Sequence, residues 1–178
     1  MTNLPSVVDD YLAANDFSRH TVRAIKSDLA KFIRWFESAN HERCDLHRVT
    51  VRDVADFREH LARVRRQQVS TVNRALVSIR RFLAHLVRSG DLPGNPAEAV
   101  KELRRMPTVP QGLQSAEVRR IMREIELRGD IRGAAIFGVM LFGGLRVSDV
   151  VGLRLDDLEI APRSGRVVCR HGKGNKQR

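Results

Sequence analysis

Apolar residues recur every three or four positions through the first half of the chain, the spacing of one helical face. Leu4, Val7, Val8, Tyr11 and Leu12 share such a face. A second helix follows with Ser18 as its N-cap and Val22, Ile25, Leu29, Phe32, Ile33 and Phe36 inward. Thr50 is placed to cap a third helix that buries Val54, Phe57, Leu61 and Val64. Ser70 is placed to cap a fourth, whose seam is Val72, Leu76, Ile79, Leu83 and Leu86 and whose natural stop is Gly90. Four helices with short connections predict a small helical bundle over residues 1–92.

The pattern changes at 93–113. Pro93, Gly94, Pro96, Pro107, Pro110 and Gly112 punctuate this stretch, around a short helical piece expected from Ala97 to Arg105. Proline and glycine at this density resist continuous helix and suit an interdomain linker. A further domain is expected over 114–178. In it, Ser115 would cap a helix with Val118, Ile121, Met122 and Ile125 inward, and the apolar run from Ile131 to Phe142 reads as a buried helix. A short amphipathic helix is expected at Val147–Leu153. Arg166 to Arg170 then alternates as a strand leading into a glycine-rich turn, Gly172-Lys173-Gly174-Asn175, the signature of a β-hairpin.

Charge narrows the class of partner. The 178 residues carry a net charge of +11. The fourth helix has no acid between Ser70 and Gly90, and its outward positions Arg74, Ser78, Arg81, His85 and Arg88 form a basic stripe. Lys26 on the second helix, with Arg65 and Arg66 at the end of the third, extends it. A solvated helix face normally mixes its signs, so this stripe points to phosphate contacts on double-stranded DNA. The longest apolar run is too short to span a bilayer, and the amino terminus lacks the basic lead and apolar core of a secretion signal. A cytoplasmic protein with no membrane partner is expected. Cys44 and Cys169 are far apart and show no metal-ligand spacing, so neither a disulfide nor a metal site is expected.

Two further cations are candidates for chemistry. Arg146 follows the double glycine Gly143-Gly144. Its planar fork can hold two oxygens of one phosphate, or it can form a local ion pair with Asp149, three residues on. Lys173 at a hairpin tip can be a solvated turn residue or a proton donor reaching into a groove. His171 beside it is weak evidence for any role.

The stretch Gly143-Gly144-Leu145-Arg146-Val147-Ser148-Asp149-Val150-Val151-Gly152-Leu153-Arg154-Leu155-Asp156-Asp157-Leu158 resembles the segment around the first catalytic arginine of tyrosine recombinases, the phage-integrase and Xer type. Gly172-Lys173-Gly174-Asn175-Lys176-Gln177-Arg178 resembles the hairpin that carries their catalytic lysine. Ser18 through Phe36, Ser70 through Gly90 and Asn95-Pro96 look like their core-binding domain.

The resemblance implies a mainly α protein: an N-terminal four-helix SAM-like core-binding bundle, then a partial α+β catalytic domain ending in a β-hairpin. It implies that the two domains clamp duplex DNA, that Arg146 stabilises charge on the scissile phosphate, that Lys173 is general acid toward the leaving 5′-hydroxyl and that Asp149 supports the arginine. No cofactor and no small-molecule substrate is implied, and intact recombinase protomers are candidate partners. The family pattern continues with a His-x-x-Arg segment, a further His or Trp and a nucleophilic tyrosine, none of which these residues supply. The one tyrosine is Tyr11, at a core-facing helical position.

The chain is therefore expected to be a truncated N-terminal piece of a site-specific recombinase, unable to cleave DNA alone. Two other readings stay open, a non-catalytic DNA-binding protein that occupies or regulates recombination sites and a helical interaction module without a DNA role. On either DNA reading, residues 1–92 are expected to fold independently, with 110–178 loose or self-associated.

Overall fold

A computed structural model describes residues 4–107, 109, 111–162 and 164–170. The chain divides into two compact units, Met1–Thr108 and Val109–Arg178. The fold is mainly helical, as expected.

In the first unit the helices are α1 (Leu4–Ala13), α2 (Arg19–Asn40), α3 (Val51–Glu59) and α4 (Val69–Ser89). Local chemistry sets most of their ends. The Ser18 hydroxyl accepts the Thr21 N–H at the start of α2, satisfying a donor that the helix leaves without an internal partner. At α3, Thr50 and Asp53 form a reciprocal capping box: the Thr50 hydroxyl accepts the Asp53 N–H, and the Asp53 carboxylate accepts the Thr50 N–H at 2.8 Å. Gly90 closes α4 with φ of 84°, a conformation that a Cβ disfavours. Helix α4 begins at Val69 after Gln68, two residues before the expected start, and Ser70 lies inside its first turn.

The expected seam is found. Val72, Leu76, Ile79, Leu83 and Leu86 of α4 are all buried, with Ile25, Leu29, Phe32 and Phe36 of α2, Val54 and Phe57 of α3 and Leu61 just beyond it. Val64 is the exception and is exposed. The last turn of the third helix, His60–Val64, widens to a π turn in which the Arg65 N–H reaches back to the His60 carbonyl at 2.9 Å. That widening reduces the rotation per residue and carries Val64 off the inward face.

The stretch expected to be a linker starting at residue 93 is instead docked on α4 as far as Leu103. Asn73, fully buried, donates from Nδ2 to the Leu103 carbonyl and accepts the Leu103 N–H at Oδ1, both at 2.8 Å. Arg80 donates to the carbonyls of Ala97 (3.2 Å) and Val100 (2.8 Å), and Arg58 to that of Lys101 (2.8 Å). Those are the carbonyls a helix over 97–105 would need for its own ladder, and no regular helix forms there. Ala97 and Val100 pack into the core beside Leu92.

In the second unit, α5 (Ser115–Leu127), α6 (Ile131–Gly143) and α7 (Val147–Val151) precede a two-stranded antiparallel hairpin of β1 (Leu158–Ala161) and β2 (Ser164–Val167). Leu158 pairs with Val167 and Glu159 with Arg166, whose side chains form a 3.1 Å ion pair. Two expectations are corrected here. The strand expected over 166–170 is shorter and earlier, and its partner Leu158–Ala161 was not anticipated from the sequence; beyond Val167, Val168 donates to the Asp157 carbonyl and the ladder stops. Helix α6 is not buried: no residue of it is, and Phe142 is 80% exposed. A helix apolar all round needs cover on every side, whereas among the described elements α6 meets chiefly α5 and α7. Helix α5 starts at Ser115 itself, with Gln114 before it donating its N–H to Glu117 at 2.7 Å.

These two environments predict opposite responses to truncation. Leu83→Ala at the centre of α4 should cost about 2–5 kcal/mol, whereas Phe142→Ala should stay within about 0.5 kcal/mol. Urea unfolding of the two variants checks this, and a comparable loss for Phe142→Ala would contradict the exposure of α6.

Candidate nucleic-acid interface and phosphate-binding arginine

The basic stripe is partly what its spacing suggests. Arg74, Arg81 and Arg88 are exposed along α4, and Arg65 and Arg66 are exposed just after the π turn, with Arg66 in the left-handed region at φ of 49°. Ser78 is not on that surface. It is buried, and its hydroxyl donates to Asp28 Oδ2 at 3.0 Å. The reason is geometric: α4 buries Ala75 and Phe82 as well as its seam, so the side facing α2 reaches around to position 78. His85 is half-buried, its ring 5.1 Å from that of Tyr11. Lys26 is exposed but ion-paired with Asp9 at 2.7 Å.

Asp28 is the residue that sequence reasoning missed. It is 0% exposed, and Oδ1 accepts from an Nη2 of Arg74 at 2.9 Å. Lys31 Nζ stands 3.9 Å from the same oxygen. The signal was present in the spacing, since Asp28 falls on the helical face of Ile25, Leu29 and Phe32. Asn73 was passed over in the same way, lying beside Val72 on α4.

Tyr11 is a core residue. It is 2% exposed, with its ring 5.4 Å from Phe82 and 5.9 Å edge-on to Phe17. Burial raises the pKa of its phenol, against the opposing pull of Arg81 and Arg88. The Cys44 thiol is pushed up to about 12 by burial and by the carboxylates of Glu37, Asp45 and Asp53. Neither group is suited to act as a nucleophile where it stands.

In the second unit, Gly144 ends α6 in the left-handed region at φ of 62°. A Cβ on Gly143 would come within 2.8 Å of Leu145 Cδ1, so the double glycine also admits the buried Leu145 side chain. Arg146 stands immediately before α7. Its N–H donates to Asp149 Oδ2 at 3.0 Å, and Asp149 is buried. The guanidinium is 3.9 Å from that oxygen and its side chain is 54% exposed. Asp149 thus grips the Arg146 backbone more closely than its side chain, which stays half-exposed.

The same device recurs a few residues on. Asp157 is buried, accepts the Arg154 N–H at 2.9 Å and is bonded by Arg170. The Arg154 hydrogen bond lowers its pKa, burial acts against this, and the Arg170 guanidinium adds to the lowering. Lys173 and His171 lie outside the described residues. Among the described residues no cluster of His, Cys, Asp and Glu could hold a metal ion, and no helix is long and apolar enough to cross a membrane.

Both halves of the chain match known families. Residues 8–90 match the model described as phage integrase, N-terminal SAM-like domain, and residues 111–178 match the phage integrase family. The tyrosine recombinase XerC of Myxococcus xanthus is 34% identical over 185 residues, covering 100% of this chain and 59% of its own length. The tyrosine recombinase XerD of Shewanella oneidensis is 29% identical over 181 residues, covering 98% of this chain and 57% of its own length. The chain thus spans under three-fifths of either relative. Among solved structures, a lambda integrase tetramer bound to a Holliday junction aligns with a TM-score of 0.75 at 14% identity, covering 100% of this chain and 50% of that one. The Tn1549 transposon integrase in complex with circular intermediate DNA aligns at 0.61 and 18% identity, covering 96% and 57%. Identities this low speak to the fold alone.

The depressed Asp157 carboxyl carries a pH dependence of definite sign. Its contribution to stability is complete above the ordinary carboxylate pKa of about 3.9 and is lost as pH falls through the lower, folded value. A carbon-detected NMR titration should place its midpoint below about 3.9, with Arg170→Ala moving it upward. A midpoint at or above the ordinary value would remove the bond network around Asp157.

Proposed function

The chain belongs to the phage integrase family, the tyrosine recombinases, and from that we propose that these residues are the DNA-binding part of a site-specific recombinase and carry part of its phosphate-activating machinery. The observation that carries the reading is the acid-free outward face of α4, where Arg74, Arg81 and Arg88 are exposed. Three cations along one helix face neutralise phosphates without regard to base identity, which sets register and affinity before sequence is read.

The chemistry proposed for the second unit starts from Arg146. Its side chain is half-exposed while its backbone is held by buried Asp149, whose carboxylate also stands 3.9 Å from the guanidinium. A planar fork so anchored can bind two non-bridging oxygens of a phosphodiester and stabilise the charge that builds on phosphorus during displacement. Lys173 is assigned the proton transfer to the departing 5′-oxygen, and Asp149 the support of the arginine. In this chemistry a phenolic oxygen attacks phosphorus, forming a 3′-phosphotyrosyl link and releasing a 5′-hydroxyl. The reverse attack rejoins the strand, so no external energy source is needed.

Tyr11 does not supply that phenol, because its ring sits in the core of the first unit. These 178 residues therefore bind DNA without forming a covalent link. Intact recombinase protomers are proposed as their partners on the same sites.

A gel-shift series in KCl tests the binding. The slope of log K against log salt should be about −3 or steeper, at about 0.9 for each of the three stripe arginines, and Arg81→Ala with Arg88→Ala should flatten it by about 2. A salt-independent affinity removes the reading. Incubation with a nicked suicide duplex should give no protein–DNA adduct, and an adduct would show that an accessible nucleophile is present after all.

A further inference from the structure

We infer that Asp28 is a positioning residue, holding Arg74 in the orientation in which it meets a DNA phosphate. The inference rests on the DNA-binding reading above and names a part of the interface that is itself acidic and out of contact with solvent.

The carboxylate of Asp28 lies wholly inside the first unit, between α2 and α4. Its Oδ2 takes the Ser78 hydroxyl at 3.0 Å, and its Oδ1 takes Arg74 Nη2 at 2.9 Å. Lys31 Nζ approaches Oδ1 to 3.9 Å from one turn further along α2. Removing a carboxylate from water is costly, and an apolar pair of similar volume commonly braces two helices as well or better. Bracing α2 against α4 therefore does not by itself account for an acid here. What a buried carboxylate does, and an apolar contact does not, is fix the plane of a guanidinium.

Arg74 is placed to use that. Its side chain is 49% exposed although one nitrogen is tied to the interior. A guanidinium carries five N–H donors in a rigid fork, so anchoring one nitrogen leaves donors on the others aimed at solvent. They open on the same face of α4 as Arg81 and Arg88. An arginine already held in one rotamer loses less conformational freedom when a phosphate arrives, so it binds more tightly than a free one. Ser78 completes the device by satisfying the second oxygen from below, which explains why a hydroxyl stands at a buried position on the arginine-bearing helix.

The inference makes a prediction of unusual sign. By charge alone, removing an acid beside a cationic stripe should tighten DNA binding. By positioning, it should weaken it. Asp28→Asn in the full 178-residue chain keeps the size of the side chain and an oxygen for Ser78 while removing the charge that anchors Arg74. Its affinity for a short duplex should fall about tenfold, the loss of one charge-assisted contact, and the salt slope should flatten by about 0.9. Arg74→Ala should give the same loss, and the double variant should bind no more weakly than either single one, because the two changes remove one contact.

Affinity equal to or tighter than wild type for Asp28→Asn overturns the inference. If circular dichroism shows that this variant does not fold, Arg74→Lys decides instead. A lysine ammonium is a compact point charge without the planar fork that spans Asp28 and an outward phosphate, so drawn to the buried carboxylate it should bind as weakly as Arg74→Ala, and wild-type affinity overturns the inference. An unaltered chain without salt-dependent binding removes the DNA reading and this inference together. An unaltered chain that binds, with Asp28→Asn unweakened, removes this inference alone.

Discussion

The apolar seam of α4 has to leave water, and satisfying that demand organises the whole first unit. Val72, Leu76, Ile79, Leu83 and Leu86 are covered by α1, α2 and α3, and the segment through Leu103 closes a further side. Only one arc of the helix is left in solvent, and Arg74, Arg81 and Arg88 occupy it. The basic surface is therefore a consequence of the core: helices that bury α4 on its other sides also aim its cations in one direction. Each large apolar side chain in such a seam contributes roughly 1.5–3 kcal/mol when buried, enough to hold a row of like charges that would otherwise repel.

Polar groups inside this core are paired in ways that tie distant parts of the chain. Asn73 offers both a donor and an acceptor to Leu103, and Arg80 and Arg58 collect carbonyls from 97–101. An unmet buried amide costs about 1–3 kcal/mol, so these side chains specify one path for a stretch rich in proline that has no ladder of its own. The second unit uses a different economy of means. Asp149 and Asp157 each accept the backbone N–H three residues earlier, and each stands beside an arginine. Local turns are thus built by carboxylates, while the apolar face of α6 stays exposed.

The two units hold their arginines in different ways. In the first unit every other helix touches α4, the bearer of the exposed cations. The Arg146–Asp149 turn fixes the arginine's backbone through a buried carboxylate and leaves its side chain half-exposed, 3.9 Å from the same oxygen.

The amino-acid sequence by itself determined the four helices of the first unit, most of their inward faces, the caps at Ser18 and Thr50 and the stop at Gly90. Each depends on residues within a turn or two of one another, so periodicity and capping chemistry suffice. The family was legible for a related reason, since its motifs are contiguous. Tertiary structure alone decided that Ser78 faces inward, that Arg74 and Ser78 are the partners of Asp28, that the proline-rich stretch docks on Asn73 and Arg80, and that α6 lies open. Those outcomes turn on which surfaces meet across tens of residues, and a spacing pattern carries no record of what packs against the far side of a helix.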